Sequence, residues 1–209
     1  MFLGSGWGNG RRGVAVIIHK RHAKGFKAFH AISERVCAAD VDIHGLRLRV
    51  ISGYLPDGSY NDESVEATCE EISLLRLKAA RIGRAIVAAG DWSAVIGARS
   101  NEGKGTLGPH GTGDHNARGV AMVRWAGSQN MSIASSFFHI AHEDAWSYTN
   151  GGVRKLLDYI VLDESLIHKL TASTLSDAIG TGADHRTVGA TLKVEEAIQT
   201  PTRKQDVGE

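Results

Sequence analysis

The chain has 209 residues, of which 42% are hydrophobic and 22% are charged. This length allows one or two domains, and the balance is that of an ordinary globular protein, which excludes a disordered tail and a membrane protein. A net charge of +1 excludes a protein that binds nucleic acid merely by being basic overall. Two cysteines and a start without a signal-peptide pattern favour an intracellular setting, nuclear or cytoplasmic.

Charge is unevenly distributed along the chain. The segment up to Ser33 contains no acidic residue and six basic ones, which are Arg11, Arg12, Lys20, Arg21, Lys24 and Lys27. The sequence leaves two interpretations of this basic stripe open: a surface that contacts phosphate groups, or a solvated loop.

Apolar runs rich in β-branched residues predict three strands in the first quarter of the chain. They cover residues 13–18, 35–43 and 46–54. In the third run Leu and Arg alternate, which gives the strand one buried and one wet face. His44 and Gly45, between the second and third runs, are typical of a tight hairpin loop.

Residues 61–82 carry apolar side chains three or four positions apart, which predicts an amphipathic helix that ends at a left-handed Gly83. A short buried strand at 84–89 then leads to Asp91. The later pattern predicts a helix at 117–129 and a charged tail at 195–209. Between them it predicts five strands, at 131–137, 145–149, 155–162, 171–176 and 186–194. Strands without strict strand–helix alternation predict an α+β sandwich with flanking helices, one domain over residues 1–194.

Three short segments place an acidic residue or a histidine beside an apolar run. They contain Asp91, Asp158 and the pair Asp184 and His185. A buried carboxylate is costly unless it is paired, hydrogen-bonded or bound to a metal ion. For Asp158 taken alone, backbone N–H groups at a strand end are a sufficient explanation, but three such segments together favour a functional site.

The order of these segments resembles that of the endonuclease/exonuclease/phosphatase superfamily, and most of all its non-LTR retrotransposon branch. The resemblance rests on six motifs in order, which read here GVAVIIHK, YLP, GDWSA, AWSYT, KLLDYI and ADH. It covers residues 13–194. It implies a four-layered α/β/β/α sandwich of the DNase I-like kind, and a metal-dependent hydrolase that cleaves phosphodiester bonds of DNA.

The resemblance also assigns roles. It implies that His185 contacts or protonates the scissile phosphate and that Asp158 orients His185 by accepting its other ring N–H. It implies that Asp91 holds or deprotonates the attacking water, and that Tyr54 hydrogen-bonds a phosphate oxygen. Asp184 is expected near a divalent ion, which oxygen ligands predict to be Mg²⁺ or Mn²⁺. No organic cofactor is implied.

Other positions are expected to contact substrate or the transition state. Ser93 stands where the family has Asn, and a hydroxyl on a shorter side chain weakens that hydrogen bond without abolishing it. Trp92 either stacks on a base or packs in the core. Arg11 and Arg12, in the basic stripe, are predicted to contact DNA, whereas Trp146 is expected to pack in the sandwich.

The largest departure from the family is at the start of the chain. In the family a strand with Asn, a helix and a strand ending in the principal metal-binding Glu precede the segment that GVAVIIHK resembles. The sequence therefore predicts an N-terminally truncated domain that lacks the first strand and helix. Two alternatives to an active nuclease stay open: an inactive remnant that at most binds nucleic acid, and a phosphatase of a small or lipid phosphoester.

Overall fold

A computed structural model describes residues 1–5, 13–57, 62–98, 105–111, 113–177 and 183–194. The tail at 195–209 and both Arg11 and Arg12 lie outside the described residues. The elements are β1 (Phe2–Gly4), β2 (Ala15–Ile17), β3 (Phe26–Ala31), β4 (Val36–Ile43), β5 (Leu46–Tyr54), α1 (Asp62–Arg81), β6 (Ala85–Asp91), α2 (Ala117–Ser128), β7 (Met131–Ile133), β8 (Tyr148–Asn150), β9 (Val153–Lys155), β10 (Asp158–Asp163), β11 (Leu170–Ser176) and β12 (Thr187–Leu192).

A six-stranded sheet in the order β3–β4–β5–β6–β10–β7 forms the centre of the molecule. Only β5 and β6 run parallel, and α1 makes the crossover between them. Three smaller pairs, β1–β2, β8–β9 and β11–β12, complete the strand list of the described residues. This arrangement confirms the predicted α+β class.

Local signals in the sequence located several elements correctly. His44 and Gly45 both have positive φ, at 46° and 80°, as a two-residue hairpin between β4 and β5 requires. Gly83 has a φ of 65° and ends α1, and the N–H of Arg84 donates to the carbonyl of Ala79 at 3.0 Å. This i to i−5 bond is the mark of a Schellman cap.

Other expectations are corrected by the structure. The strand predicted at 131–137 stops at Ile133, and Ala134–Phe137 form a 3-10 turn in which the Ser136 hydroxyl donates to the Ile133 carbonyl. The sequence does not predict strand β3, because its two large apolar residues, Phe26 and Phe29, are three positions apart and so do not alternate, and because it lies at the sheet edge. The run at 13–18 forms β2, which pairs with β1 and lies outside the central sheet.

One face of the central sheet is packed by α1 and α2 and is called here the helix-covered face. Its side chains alternate along β4, β5, β6 and β10 and form the main core with both helices. The buried core residues shared by sheet and helices include Val36, Ala38, Ile51, Ile86, Ala88, Val161, Ile72, Leu75, Met122 and Val123. The amphipathic pattern of α1 is therefore satisfied by this face.

The opposite face is packed by two separate strand pairs and is called the strand-covered face. β2 packs over β4 and β5, while β12 packs over β10. Between them the side chains of β5 and β6 are only half-buried, although these strands are central in the sheet; Val50, Val87 and Ala89 line this strip. The second layer thus covers the sheet on both sides of a partly open middle.

No helix within the described parts of the chain is long and apolar enough to cross a membrane.

Candidate active site

The site begins with one row of the central sheet. Strand register places Tyr54 of β5 opposite Asp91 of β6, and Asp91 opposite Asp158 of β10. All three side chains belong to the strand-covered face, because they continue the alternation of Val50, Val87 and their neighbours. The row lies where β5 and β6 end and β10 begins, at one edge of the partly open strip.

A glycine pair lies directly beside this row. Gly53 and Gly90 are partners in the parallel β5–β6 ladder, and a Cβ added to Gly90 would lie 1.7 Å from the Gly53 carbonyl oxygen. Only glycine allows this approach of the two backbones. The close spacing of Tyr54 and Asp91 therefore depends on Gly90.

His185 joins the row through Asp158. Its Nδ1 lies 2.8 Å from Asp158 Oδ2, and because an ionised carboxylate only accepts, Nδ1 carries the proton. The segment around His185 is held against β8 by backbone bonds, from Thr149 N–H to the Asp184 carbonyl and from Arg186 N–H to the Ser147 carbonyl. The structure places Tyr54, Asp91 and Asp158 in one row of the sheet and His185 in contact with Asp158.

The environment of Asp91 makes its carboxylate a stronger base than usual. Burial raises the pKa of Asp91, and the negative charge of Asp158 adds to the effect. The Ser93 N–H donates to Asp91 Oδ1 at 2.7 Å and partly offsets this rise. Ser93 itself has a φ of 48°, a left-handed conformation that Asn adopts more readily than Ser.

Sequence reasoning missed Arg35, which lies next to Tyr54. Its side chain is 11% exposed, and the guanidinium carbon lies 5.3 Å from the centre of the Tyr54 ring. The Tyr54 N–H also donates to the Arg35 carbonyl at 2.9 Å. A positive charge thus stands at one end of the row, and the only sequence signal for it was an Arg at the start of a predicted strand.

Ser147 was also missed. Its Oγ donates to Asp158 Oδ2 at 2.7 Å and accepts from the N–H groups of Leu157 and Asp158, each at 3.0 Å. The AWSYT segment contains it, but a serine between two aromatic residues carries no chemical signal of its own.

The prediction that Trp92 contacts substrate is wrong. Trp92 is 2% exposed, packs against Trp125 and donates its indole N–H to the Tyr159 carbonyl at 3.0 Å. Its ring is therefore fixed in the core and cannot stack on a base. Trp146 is instead half-buried, with guanidinium groups of Arg154 and Arg186 each 4.6 Å from its ring.

No protein-family model and no curated protein matches the chain. Solved structures do match it. The endonuclease domain of TRAS1, a telomere-specific non-LTR retrotransposon, aligns with a TM-score of 0.59 at 14% identity, over 88% of this chain and 74% of that domain. The 3′ phosphatase NExo from Neisseria, bound to a product DNA hairpin, aligns with a TM-score of 0.53 at 15% identity, over 76% of this chain and 65% of that one.

An AP endonuclease from Archaeoglobus fulgidus aligns with a TM-score of 0.50 at 14% identity, over 77% of this chain and 66% of that enzyme. All three have the DNase I-like fold. The present chain has the DNase I-like fold as well. This confirms the fold that the motif order implied, and the chain spans between about two thirds and three quarters of the lengths of these three structures.

Carboxylate oxygens such as those of Asp184 are ligands that Mg²⁺ and Mn²⁺ prefer, but this DNase I-like chain does not bring enough of them together among its described residues. Asp184, the predicted ligand, is exposed. Within the described parts of the chain, no three His, Cys, Asp or Glu side chains lie close enough to hold an ion together. The described residues alone therefore do not form a metal site.

A cavity of about 600 Å³ lies beside the start of β10, but Tyr54, Asp91, Asp158 and His185 are not among its lining residues. Its wall includes Leu156 and Tyr159, which belong to the core of the helix-covered face, together with Trp146, Arg154 and Lys155. Three histidines also line it, which are His110, His139 and His142. These basic side chains share the cavity wall with two acidic ones, Asp114 and Glu143.

Proposed function

We propose that the chain is a phosphodiester hydrolase of the DNase I-like type and that its substrate is DNA. The observation that supports this is the row of Tyr54, Asp91 and Asp158 with His185 bound to Asp158. A half-buried carboxylate base, an oriented imidazole and a phenol, together at the ends of central strands, are groups suited to attack on a phosphate ester.

Asp91 is assigned the role of general base. The pKa of its carboxyl is raised by burial and by Asp158, so the ionised form takes a proton from water more readily than an exposed aspartate does. Ser93 fixes one oxygen of this carboxylate through its N–H, and its hydroxyl lies within 3.4 Å of the same oxygen and of the Leu55 carbonyl oxygen.

His185 is assigned to the phosphate. With Nδ1–H held by Asp158, the opposite nitrogen Nε2 is the one that donates to a phosphate oxygen when the ring is protonated. The side chain is 34% exposed, which leaves it accessible to a substrate. Tyr54 adds a phenolic O–H from the other side of Asp91, at the place that strand register gives it.

A polyanion agrees with the surroundings of the row. Arg35 lies next to Tyr54 at one end of the row, and Arg186 directly follows His185 in the chain. The structure of NExo carries a DNA hairpin as product, and the TRAS1 domain is an endonuclease. We therefore propose DNA over a small phosphoester, and a retrotransposon-type endonuclease as the specific class.

Nicking of supercoiled plasmid DNA tests this proposal. The purified chain is expected to convert plasmid to the open circle in Mg²⁺ or Mn²⁺, and His185→Ala is expected to reduce the rate by roughly a hundredfold or more. His168→Ala is the matched control, because His168 is exposed and lies outside the site. Loss of nicking in EDTA would support the predicted metal requirement.

Failure to nick DNA at any concentration of either ion, from a sample shown to be folded, would refute the proposal. Turnover of an inositol phosphate in preference to plasmid would replace DNA by a small phosphoester as the substrate class.

One observation favours a second candidate, which is nucleic-acid binding without turnover. The described residues provide too few ligands for a metal ion, and phosphodiester hydrolysis without one loses a major source of charge stabilisation. Binding would then depend on the basic stripe. Neutralising Arg11, Arg12 and Lys24 together is expected to reduce the salt dependence of DNA binding, and unchanged binding would count against this candidate.

A further inference from the structure

Ser147 is connected to both halves of the His185–Asp158 pair. Its side chain is fully buried, and its Oγ uses its one proton on Asp158 Oδ2 and accepts two backbone N–H groups, from Leu157 and Asp158. A hydroxyl has one donor and two acceptor positions, so Ser147 is fully satisfied by this one neighbourhood.

The backbone of Ser147 extends the connection. Its N–H donates to the Lys155 carbonyl at 2.9 Å, and its carbonyl accepts the Arg186 N–H at 2.7 Å. Lys155 lies just before the strand that carries Asp158, and Arg186 directly follows His185. Ser147 therefore holds the two segments whose separation sets the distance between the carboxylate and the imidazole.

The contact at Oδ2 also controls which way the carboxylate faces. The terminal torsion of an aspartate is broad and roughly two-fold, so a free carboxylate presents either oxygen to a neighbour. At Asp158 the same oxygen accepts from Ser147 Oγ and from His185 Nδ1, at 2.7 and 2.8 Å. The hydroxyl fixes that oxygen in place, and the fixed oxygen in turn fixes the ring.

We propose that Ser147 is a positioning residue for His185 and acts through Asp158. The expected effect on kcat rests on the proposed phosphodiesterase function, whereas the expected effect on the position of the His185 ring does not. Because Ser147 is fully buried and touches no substrate, its loss is expected to lower kcat and to leave KM unchanged.

The test compares Ser147→Ala and Ser147→Thr with Ser132→Ala as the matched control. Ser132 is also buried and donates to a backbone carbonyl, that of Gly105, but lies far along the chain from the site. Two properties are measured: the kcat and KM of plasmid nicking, and the downfield proton NMR resonance of His185 Nδ1–H, assigned by its absence in His185→Ala.

Ser147→Ala is expected to lower kcat roughly ten- to a hundredfold, the usual effect of removing an outer hydrogen-bond partner, with KM within about twofold. Its Nδ1–H resonance is expected to broaden or vanish. Ser147→Thr, which keeps the hydroxyl, is expected to recover both properties, and Ser132→Ala to change neither.

A folded Ser147→Ala protein with the wild-type resonance and wild-type kcat would overturn the inference, as would equal losses in Ser132→Ala. If Ser147→Ala does not fold, Ser147→Cys replaces it, and the weaker thiol donor must give an intermediate loss of the resonance. If the wild-type chain does not nick DNA, the proposed function fails, while the resonance still decides whether Ser147 positions His185.

Discussion

The two faces of the central sheet are covered in different ways, although the same strands form both. On the helix-covered face, α1 and α2 bury Ile86 and Ala88 almost completely, whereas Val87 and Ala89, which alternate with them on β6, are half-buried on the strand-covered face. The reacting row lies on the second face. Stability therefore depends mainly on one side of the sheet and chemistry on the other.

Gly90→Ala is expected to have the largest effect, because it separates β5 from β6 and so disturbs both faces together. The new Cβ would meet the Gly53 carbonyl oxygen. We expect a loss of about 3 kcal/mol or more in the free energy of unfolding, measured by urea denaturation, and loss of nicking. Gly13→Ala is the control, since nothing lies within 4 Å of its added Cβ. Comparable losses in both variants would contradict the argument.

Ile86→Ala and Val87→Ala sharpen the comparison at adjacent positions of one strand. Ile86 is fully buried against the helices, so its truncation is expected to cost about 3–4 kcal/mol. Val87 is half-buried, and its truncation is expected to cost about 1 kcal/mol. Equal costs in urea denaturation would show that the strand-covered face is as well packed as the other.

Asp91→Asn tests the cost of placing a charge on the strand-covered face. The pKa of Asp91 is raised in the folded state, so the folded chain binds this proton more tightly than the unfolded chain. The protonated Asp91 carboxyl therefore stabilises the fold at low pH, and this contribution to the free energy of unfolding is lost as the pH rises through the pKa that Asp91 has in the folded state. The variant is therefore expected to have a higher Tm than the wild type at pH 7, with the difference vanishing below the ordinary aspartate pKa.

The same Asp91→Asn change removes the proposed base. Nicking is expected to fall by roughly a hundredfold or more while the fold gains stability. A lower Tm at pH 7 would show that ionised Asp91 stabilises the fold, against the direction of its pKa.

Ile17→Thr is expected to have the smallest effect on stability. Ile17 and its β1 partner Phe2 are 73% and 70% exposed. The variant should change the free energy of unfolding by less than about 0.5 kcal/mol and reduce self-association in light scattering, because it interrupts an apolar patch beside a strand edge. A cost above 1 kcal/mol would indicate packing on this side that the described residues do not contain.

Much of the fold could be predicted because its signals are local. The helical spacing of α1, the Gly83 cap and the His44–Gly45 loop each depend on a few neighbouring residues. Strand β3 could not be predicted in this way, because its two phenylalanines are three positions apart and give no apolar alternation. The open strip was not visible either, since burial of Val87 depends on which elements lie above it.

The candidate site likewise contains residues that the sequence indicates and residues that only the fold brings together. Asp91, Asp158 and His185 are polar residues beside apolar runs, which is a signal that a single sequence carries. The role of Trp92 could not be predicted, because an aromatic residue after a site aspartate is equally suited to stack on a nucleic-acid base and to pack in the core. Ser147 is an ordinary serine in sequence, and only the fold brings it to Asp158.

The row also has a consequence for how the chain folds. Its members come from residues 54, 91, 158 and 185, so three long loops must close before all four come together. Such distant contacts form late, since the entropy of loop closure is lost before the contacts compensate for it. The His185–Asp158 bond is therefore expected to appear near the end of refolding, and the appearance of activity would mark completion of the native structure.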